Sequence, residues 1–434
     1  MTTAPIEVNQ LRVGMFVLLD VGWIRHPFPS SSFRLTSVDQ IETLRKLGLT
    51  TVHYVPAKSV LPEEAAPQEA RQADAAPLPP AGDMATAVPA PPSTTDAAIA
   101  NDRDVLLAEQ HGVLAECDQL FAVALGACRK LADAADADPA QAAASSLALV
   151  NDCIEKMLSY PEAALHLLSE SAGERSALHA VNTMVLCLLL GRAQGMERGT
   201  LQTLGLAALL HDMGKLKLPT YLAQPASTWS DGDQERFESH VGGSVTLAER
   251  MQLSSAVLTA IAQHHEAADG TGFPLRLLGE EMSPAGRILA LVNRYDNLCN
   301  PPVSAEALTP HEALSVLFAQ FQSHFDPDTF SRFIRMLGVY PPGSIVQLLD
   351  DSYALVVSVN ASRPLRPGVI VYQPHVPRSQ ALVLELEQVP LLGIRRSLRP
   401  AQLPRDALAY LSPRQRICYF FARAAETASV QGHR

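Results

Sequence analysis

None of the six cysteines (Cys117, Cys128, Cys153, Cys187, Cys299 and Cys418) stands in a Cys-x-x-Cys pair. A thiolate zinc site and a disulfide scaffold are thereby excluded, and a reducing cytosol fits. Basic residues are in deficit: 34 Lys plus Arg against 45 Asp plus Glu leave a formal charge of −11, so a general nucleic-acid coat is excluded and nucleic acid is not expected as a partner. Long apolar runs are missing. The longest, Met184 to Leu190, is far too short to span a membrane, and the opening MTTAPIEVNQ has neither a basic n-region nor an apolar h-region. A soluble, cytoplasmic protein is expected. Aromatics are also scarce, and between Tyr54 and Phe121 there are none.

What is present divides the chain. At about 150 residues per domain, 434 residues leave room for roughly three. Eight prolines fall between Pro62 and Pro92 among Ala, Gln and acidic residues, which reads as a linker over 59–101 that cannot pack a core. Before it, VGMFVLLD and TTVHYVP read as strands around SVDQIETLRKLG, with Ser37 and Gln40 as a capping box and Gly48 as the stop of a helix. This predicts a small α+β module over 1–58. From 102 to 340 the pattern is helical, as in Leu178, Val181, Val185, Leu188 and Leu189. Beyond Pro341, SIVQLL and YALVVSV flank Asp350–Ser352 like a hairpin, and GVIVYQ and ALVLELE add β-type runs. A β-rich C-terminal appendage over 341–434 is expected. It is locally basic, with eleven Arg against four Asp plus Glu in 361–434.

Six of the thirteen histidines lie between 166 and 265. His26, His53, His111, His166, His311, His324, His375 and His433 read as ordinary core or surface residues and receive no role. In LGLAALLHDMGKLKLP an apolar helix runs into His211-Asp212 and then Gly214-Lys215. Imidazole and a neighbouring carboxylate together suit Zn, Fe, Mn or Ni, and the carboxylate can bridge two such cations. Lys215 would set an ammonium against a phosphate oxygen. Taken alone, the same residues also read as a helix C-terminus with Gly and Lys as stop signals. In IAQHHEAADGTGFP, His264 and His265 lead into an acidic, glycine-rich loop. Adjacent helical side chains diverge by about 100°, so the pair can serve one ion only near a frayed helix end. Gly270 and Gly272 would let a ligand approach the backbone, and Phe273 would offer it a stacking face.

Together HDMGK and HHEAADGTGFP resemble the HD-x-GK and HHE-x-x-DG-x-GYP signatures of the HD-GYP subgroup of HD phosphohydrolases, with Phe273 in place of the tyrosine. His179 and the His240-x-x-Gly243 segment match in order and spacing. The resemblance covers about 173–341, and residues 6–56 resemble a module often found before such domains. It implies a mainly α, all-helical metallophosphohydrolase domain, two divalent metal ions, iron or manganese, and hydrolysis of cyclic di-GMP to pGpG or GMP. By the same resemblance His179, His211 and Asp212 hold the first metal, and Asp212, His240, His264 and His265 the second. Asp212 and Lys215 are the expected catalytic residues, and Lys215, Gly270, Gly272 and Phe273 the expected substrate contacts.

The chain departs from the pattern in three places. Asn293, in ALVNRYDNL, stands where the family completes the first metal site with an aspartate, Arg175 stands where trinuclear members carry a glutamate, and Cys299-Asn300-Pro301-Pro302 lacks the arginine of an R-P-Y segment. Asp296 reads as structural. A neutral amide oxygen is a weaker ligand than a carboxylate, so the alternative is a degenerate domain that binds cyclic di-GMP or a protein signalling partner without turnover. Self-association as a homodimer is a further expectation.

Overall fold

The computed structural model describes residues 4–18, 32–35, 41, 44–45, 51–56, 94–168, 175–222, 229–360, 363–389 and 392–424. The expected capping box at Ser37 and Gln40, the stop at Gly48 and the proline-rich stretch lie outside these. The chain separates into two compact units, 1–98 and 99–434.

In the first unit, strands β1 (Ala4–Glu7), β2 (Phe16–Leu18), β3 (Ser32–Arg34) and β4 (Thr51–Tyr54) form an antiparallel sheet in the order β1-β4-β2-β3. The two expected strands are thus β2 and β4, and they pair with each other. Val8, Leu11, Met15, Val17, Leu35, Ile41, Leu44 and Val52 make its core.

The second unit holds most of helix α1 (Thr94–Ala134), then helix α2 (Pro139–Ser159) and strand β5 (Ala163–Leu167). Helices α3 (Arg175–Ala193) and α4 (Arg198–Leu210) are buried around most of their circumference, which explains why their sequences are apolar on every side. By length and composition α3 could cross a membrane, yet 83% of its apolar window is buried inside the domain. Short helices α5 (Asp231–Glu238), α6 (His240–Arg250) and α7 (Ser255–Ala262) follow, then α8 (Pro284–Cys299), α9 (Pro310–Gln320) and α10 (Pro327–Leu337). Four of these starts share one device. Asp138, Ser283, Thr309 and Asp326 each accept a hydrogen bond from the backbone three residues on, with proline next in the chain. The cap satisfies a free N–H, and proline has none to leave unpaired.

The C-terminal region contributes β6 (Ile345–Leu348), β7 (Tyr353–Asn360), β8 (Gly368–Val371), β9 (Val383–Glu385), β10 (Ile394–Leu398), helix α11 (Arg405–Leu411) and β11 (Tyr419–Arg423). The expected hairpin is present: β6 and β7 pair antiparallel across 349–352. The β-rich region does not stand apart from the helices. Its sheet runs β10-β6-β7-β5-β11, with β8 paired to β7 and β9 to β8, so β5 from the helical region is an inner strand between β7 and β11. Phe420 and Phe421 of β11 share one core with Phe121 of α1 and the leucines of α3 and α4.

His166, on β5, has its Nε2 enclosed with no hydrogen-bond partner among the described residues, and burial pushes its imidazole from 6.5 down to about 4. Between those values the unfolded chain binds more protons than the folded one, so the stability present above pH 6.5 is lost as pH falls toward 4. His166→Leu should flatten this acid slope. Thermal midpoints of both proteins in chelator, at pH 7 and pH 4.5, check it, and parallel slopes would refute it.

Candidate metal centre

Asp212 sits where α4 ends and a short 3-10 turn begins, and four imidazoles surround it. Its Oδ2 lies 3.6 Å from Nε2 of His179 and 3.5 Å from Nε2 of His211. Its Oδ1 lies 3.5 Å from Nε2 of His240 and 3.6 Å from Nε2 of His264. One carboxylate thus divides its two oxygens between two histidine pairs. Within each pair the Nε2 atoms are 3.2 Å apart.

The tautomers follow from what holds the rings. His211 and His264 donate from Nδ1 to the carbonyls of Ala208 and Ile261 at 2.8 and 2.6 Å, and His240 donates to Phe237 in the same way. Each acceptor is three residues back, at or near a helix end where carbonyls lack helical partners. His179 Nδ1 meets Oδ2 of Asp296 at 2.5 Å. In the neutral form of each ring these partners place the proton on Nδ1, and a bare lone pair on Nε2 then points inward. Burial holds His211 and His265 well below the usual imidazole range and His240 at about 4. Burial alone would raise the carboxyl of Asp212, but Lys215 and the histidines outweigh it and keep it well below the carboxylate range. Lone pairs facing each other repel, and Oδ1 of Asp212 and Nε2 of His265 are buried with no hydrogen-bond partner among the described residues. Such a donor set fits metal ions. Two groups of donor atoms, Asp212 with His240, His264 and His265, and His179 with His211 and Asp212, each lie within 4.8 Å of one another.

The remaining residues of interest fall around this cluster. Asn293 presents Oδ1 at 3.1 Å from His179 Nε2. Asn297 donates into that oxygen at 2.7 Å, while Asn293 Nδ2 donates to the His264 carbonyl at 3.3 Å, so the amide is held oxygen-inward. Lys215 Nζ pairs with Asp212 Oδ2 at 2.6 Å and lies 5.4 Å from the centre of the Phe237 ring. Arg175 donates to the Asn300 carbonyl and to Asn297 Oδ1, both at 3.1 Å. His264 and His265 occupy the turn just beyond α7, the frayed end that their adjacency demands.

Gly214 is what lets the two halves meet. A Cβ there would lie 2.0 Å from the His240 carbonyl oxygen and 2.7 Å from Ser244 N, so α6 packs on bare backbone. Gly214→Ala should force α6 outward, cost about 1–3 kcal/mol through overpacking, and weaken metal uptake at the His240–His264 half. Thermal unfolding and metal titration measure the two effects, and wild-type values for both would contradict this packing.

In the loop after His265, Gly272 packs against the protein's own backbone: a Cβ would lie 2.3 Å from Ala267 N and 2.5 Å from Glu266 Cα. Gly270 has φ +78°, a conformation that favours glycine. The Phe273 ring is already stacked on His265, with centroids 4.5 Å apart and planes at 21°. Glu266, which sequence reasoning passed over, accepts from Leu275 N at 2.6 Å and Leu277 N at 2.9 Å and so pins the loop. Its signal was its place directly after the histidine pair. Asn182 and Asn297 gave none.

A family model described as HD domain matches residues 153–329, and one described as domain of unknown function (DUF3391) matches residues 4–145. Cyclic di-GMP phosphodiesterase PA4108 of Pseudomonas aeruginosa is 30% identical over 372 residues, 85% of this chain and 84% of that protein. The chain belongs to the HD-GYP family. Cyclic di-GMP phosphodiesterase PdeB of Borreliella burgdorferi is 25% identical over 192 residues, 44% of this chain and 51% of its own. The 3'3'-cGAMP-specific phosphodiesterase 2 of Vibrio cholerae is 24% identical over 197 residues, 45% and 35% of the two chains. Among solved structures, the HD-GYP-type protein Bd1817 of Bdellovibrio bacteriovorus aligns over 76% of this chain and 98% of its own at 15% identity, with a TM-score of 0.41. HD-domain phosphohydrolases are metal-dependent, and this HD-GYP chain carries a histidine and aspartate cluster able to bind metal. The DUF3391 match runs through the proline-rich stretch and the whole of α1 into α2, well past the 6–56 expected from the N-terminal strands.

Proposed function

We propose that the chain is a phosphodiesterase that hydrolyses cyclic di-GMP to pGpG or GMP with two divalent metal ions, iron or manganese, held at the Asp212 cluster. The observation that carries this reading is the split carboxylate, one oxygen of Asp212 toward His179 and His211 and the other toward His240 and His264. The relatives named above for cyclic di-GMP support the substrate. Bound ions of this kind lower the pKa of a water and neutralise charge on the non-bridging phosphate oxygens. His179, His211 and Asp212, with Asn293, would hold the first; Asp212, His240, His264 and His265 would hold the second. The Nδ1 hydrogen bonds of His179, His211, His240 and His264 keep their Nε2 atoms aimed inward before any ion arrives, which limits reorganisation. Lys215, about one-fifth exposed beside Asp212, brings an ammonium to the position where a phosphate would lie. Phe273 fixes the plane of His265, and the loop pinned by Glu266 forms the rim against which the dinucleotide would rest, with Gly270 and Gly272 shaping it. We assign catalysis to the helical region 102–340, for which the 1–58 module and the 59–101 linker are dispensable, with 341–434 completing the fold.

A second reading follows from Asn293. A neutral ligand leaves the first half of the cluster one negative charge short, which favours a domain that binds cyclic di-GMP without turnover. Metal content and cyclic di-GMP turnover of the purified protein, with Mn or Fe supplied, separate the two. Two ions per chain and product formation are expected. Metal with no product selects the binding reading, and no metal refutes both.

A further inference from the structure

The HD match ends at residue 329, yet the main chain of residues 417–419 is bonded directly to side chains behind the metal cluster. Asp296 is fully buried and spends Oδ2 on His179 Nδ1. Its Oδ1 accepts from Nδ2 of Asn182 and, at 2.9 Å, from Nδ2 of Asn300. Each of these amides is also bonded to the main chain of residues 417–419, which leads into and begins β11, the C-terminal strand. Asn182 donates to the Ile417 carbonyl at 3.3 Å and accepts from Tyr419 N at 2.9 Å. Asn300 donates to the same carbonyl at 2.8 Å and accepts from Ile417 N at 2.8 Å. Both amide hydrogens and the oxygen of each asparagine are therefore used, and neither side chain can turn without losing bonds to Asp296 and to the strand together.

We infer that Asn182 and Asn300 are positioning residues that lock Asp296 against His179, and that the lock is keyed to the docked backbone of residues 417–419. The C-terminal strand is thereby a working part of the His179 half of the cluster. A buried carboxylate stays correctly turned only if donors hold it. The carboxylate in turn fixes the His179 ring and the direction of its Nε2. Every bond to the strand is to main chain, so the arrangement registers whether the strand is in place rather than which side chains it carries. This inference rests on the reading of His179 as a metal ligand.

The test is calorimetric titration of the full chain with Mn2+, read as two binding steps, with thermal unfolding as the folding control. Asn300→Ala, at a half-buried position, should weaken the His179 step about 10- to 100-fold, the range seen for groups that orient metal ligands, and leave the other step unchanged. Asn182→Ala should do the same and stands as the second variant, and Asp296→Asn should also weaken that step. In the Asp296→Asn background Asn300→Ala should add nothing, because two residues acting through one group are not additive. Wild-type affinity in a folded Asn300→Ala chain, or a fully additive loss in the double variant, overturns the inference. Failure of the unmodified chain to take up Mn2+ at the His179 half overturns the reading of the cluster, and the inference with it.

Discussion

Asp212→Ala should abolish metal binding at both halves of the cluster and reduce cyclic di-GMP hydrolysis to background, while the fold survives. Removing any one histidine strips a single donor from one half, but Asp212 faces all four Nε2 atoms. The fold should tolerate the change because Oδ1 makes no hydrogen bond among the described residues and because taking one carboxylate from a buried cluster also removes its desolvation cost. Lys215 loses its partner but is about one-fifth exposed and can turn to water. Metal analysis after dialysis against Mn2+ and a thermal midpoint measured in chelator are sufficient. Retained metal in a folded Asp212→Ala chain would sink the proposed centre, and a collapsed midpoint would mean that Asp212 is structural.

Asn293→Asp should move the protein in the opposite direction. The amide oxygen already faces His179 Nε2 at 3.1 Å, and Asn297 already donates into it, so a carboxylate enters a prepared place. The cost falls on the other atom: where Nδ2 now donates to the His264 carbonyl at 3.3 Å, a second carboxylate oxygen would face that carbonyl. The metal-free variant should therefore be less stable than the parent, and the metal-loaded variant at least as stable, because a cation offsets the added charge. Affinity at the His179 half should rise on the order of tenfold or more, and hydrolysis with it if occupancy limits the rate. Equal metal content in the two proteins would show that position 293 contributes no ligand. Raised content without turnover would favour the binding reading.

Much of the centre was legible because its residues come in short runs. His211-Asp212 and His264-His265 announce themselves by adjacency at the ends of apolar helices, and His179 and His240 by their spacing from them. What supports these residues was not legible, since it is contributed across the chain. Asp296 is a plain acidic residue one turn beyond Asn293 until α3 is packed against α8 and brings His179 to it. Asn182 is masked by the apolar pattern around it on α3, which says only that the helix is buried. Gly214 reads as a flexible stop signal, and only the position of α6 reveals that it is there for lack of a side chain. The β-rich C-terminal runs were visible by their composition. Their pairing with residues 163–167 was not, because alternation of apolar residues gives a strand but no partner.

Synthesis order gives the pairing of β5 with β11 a further meaning. The polypeptide reaches residue 167 early and must wait until residues 419–423 have been made before that edge can be satisfied. Contacts so far apart in sequence are slow to form, because loop closure must precede any gain from them. During that interval β5 presents unpaired N–H and C=O groups next to an apolar core, the situation in which newly made chains associate with one another. Nascent chains halted before residue 419 should therefore be recovered mainly in aggregates or bound to chaperones, even though every proposed metal ligand has already been translated.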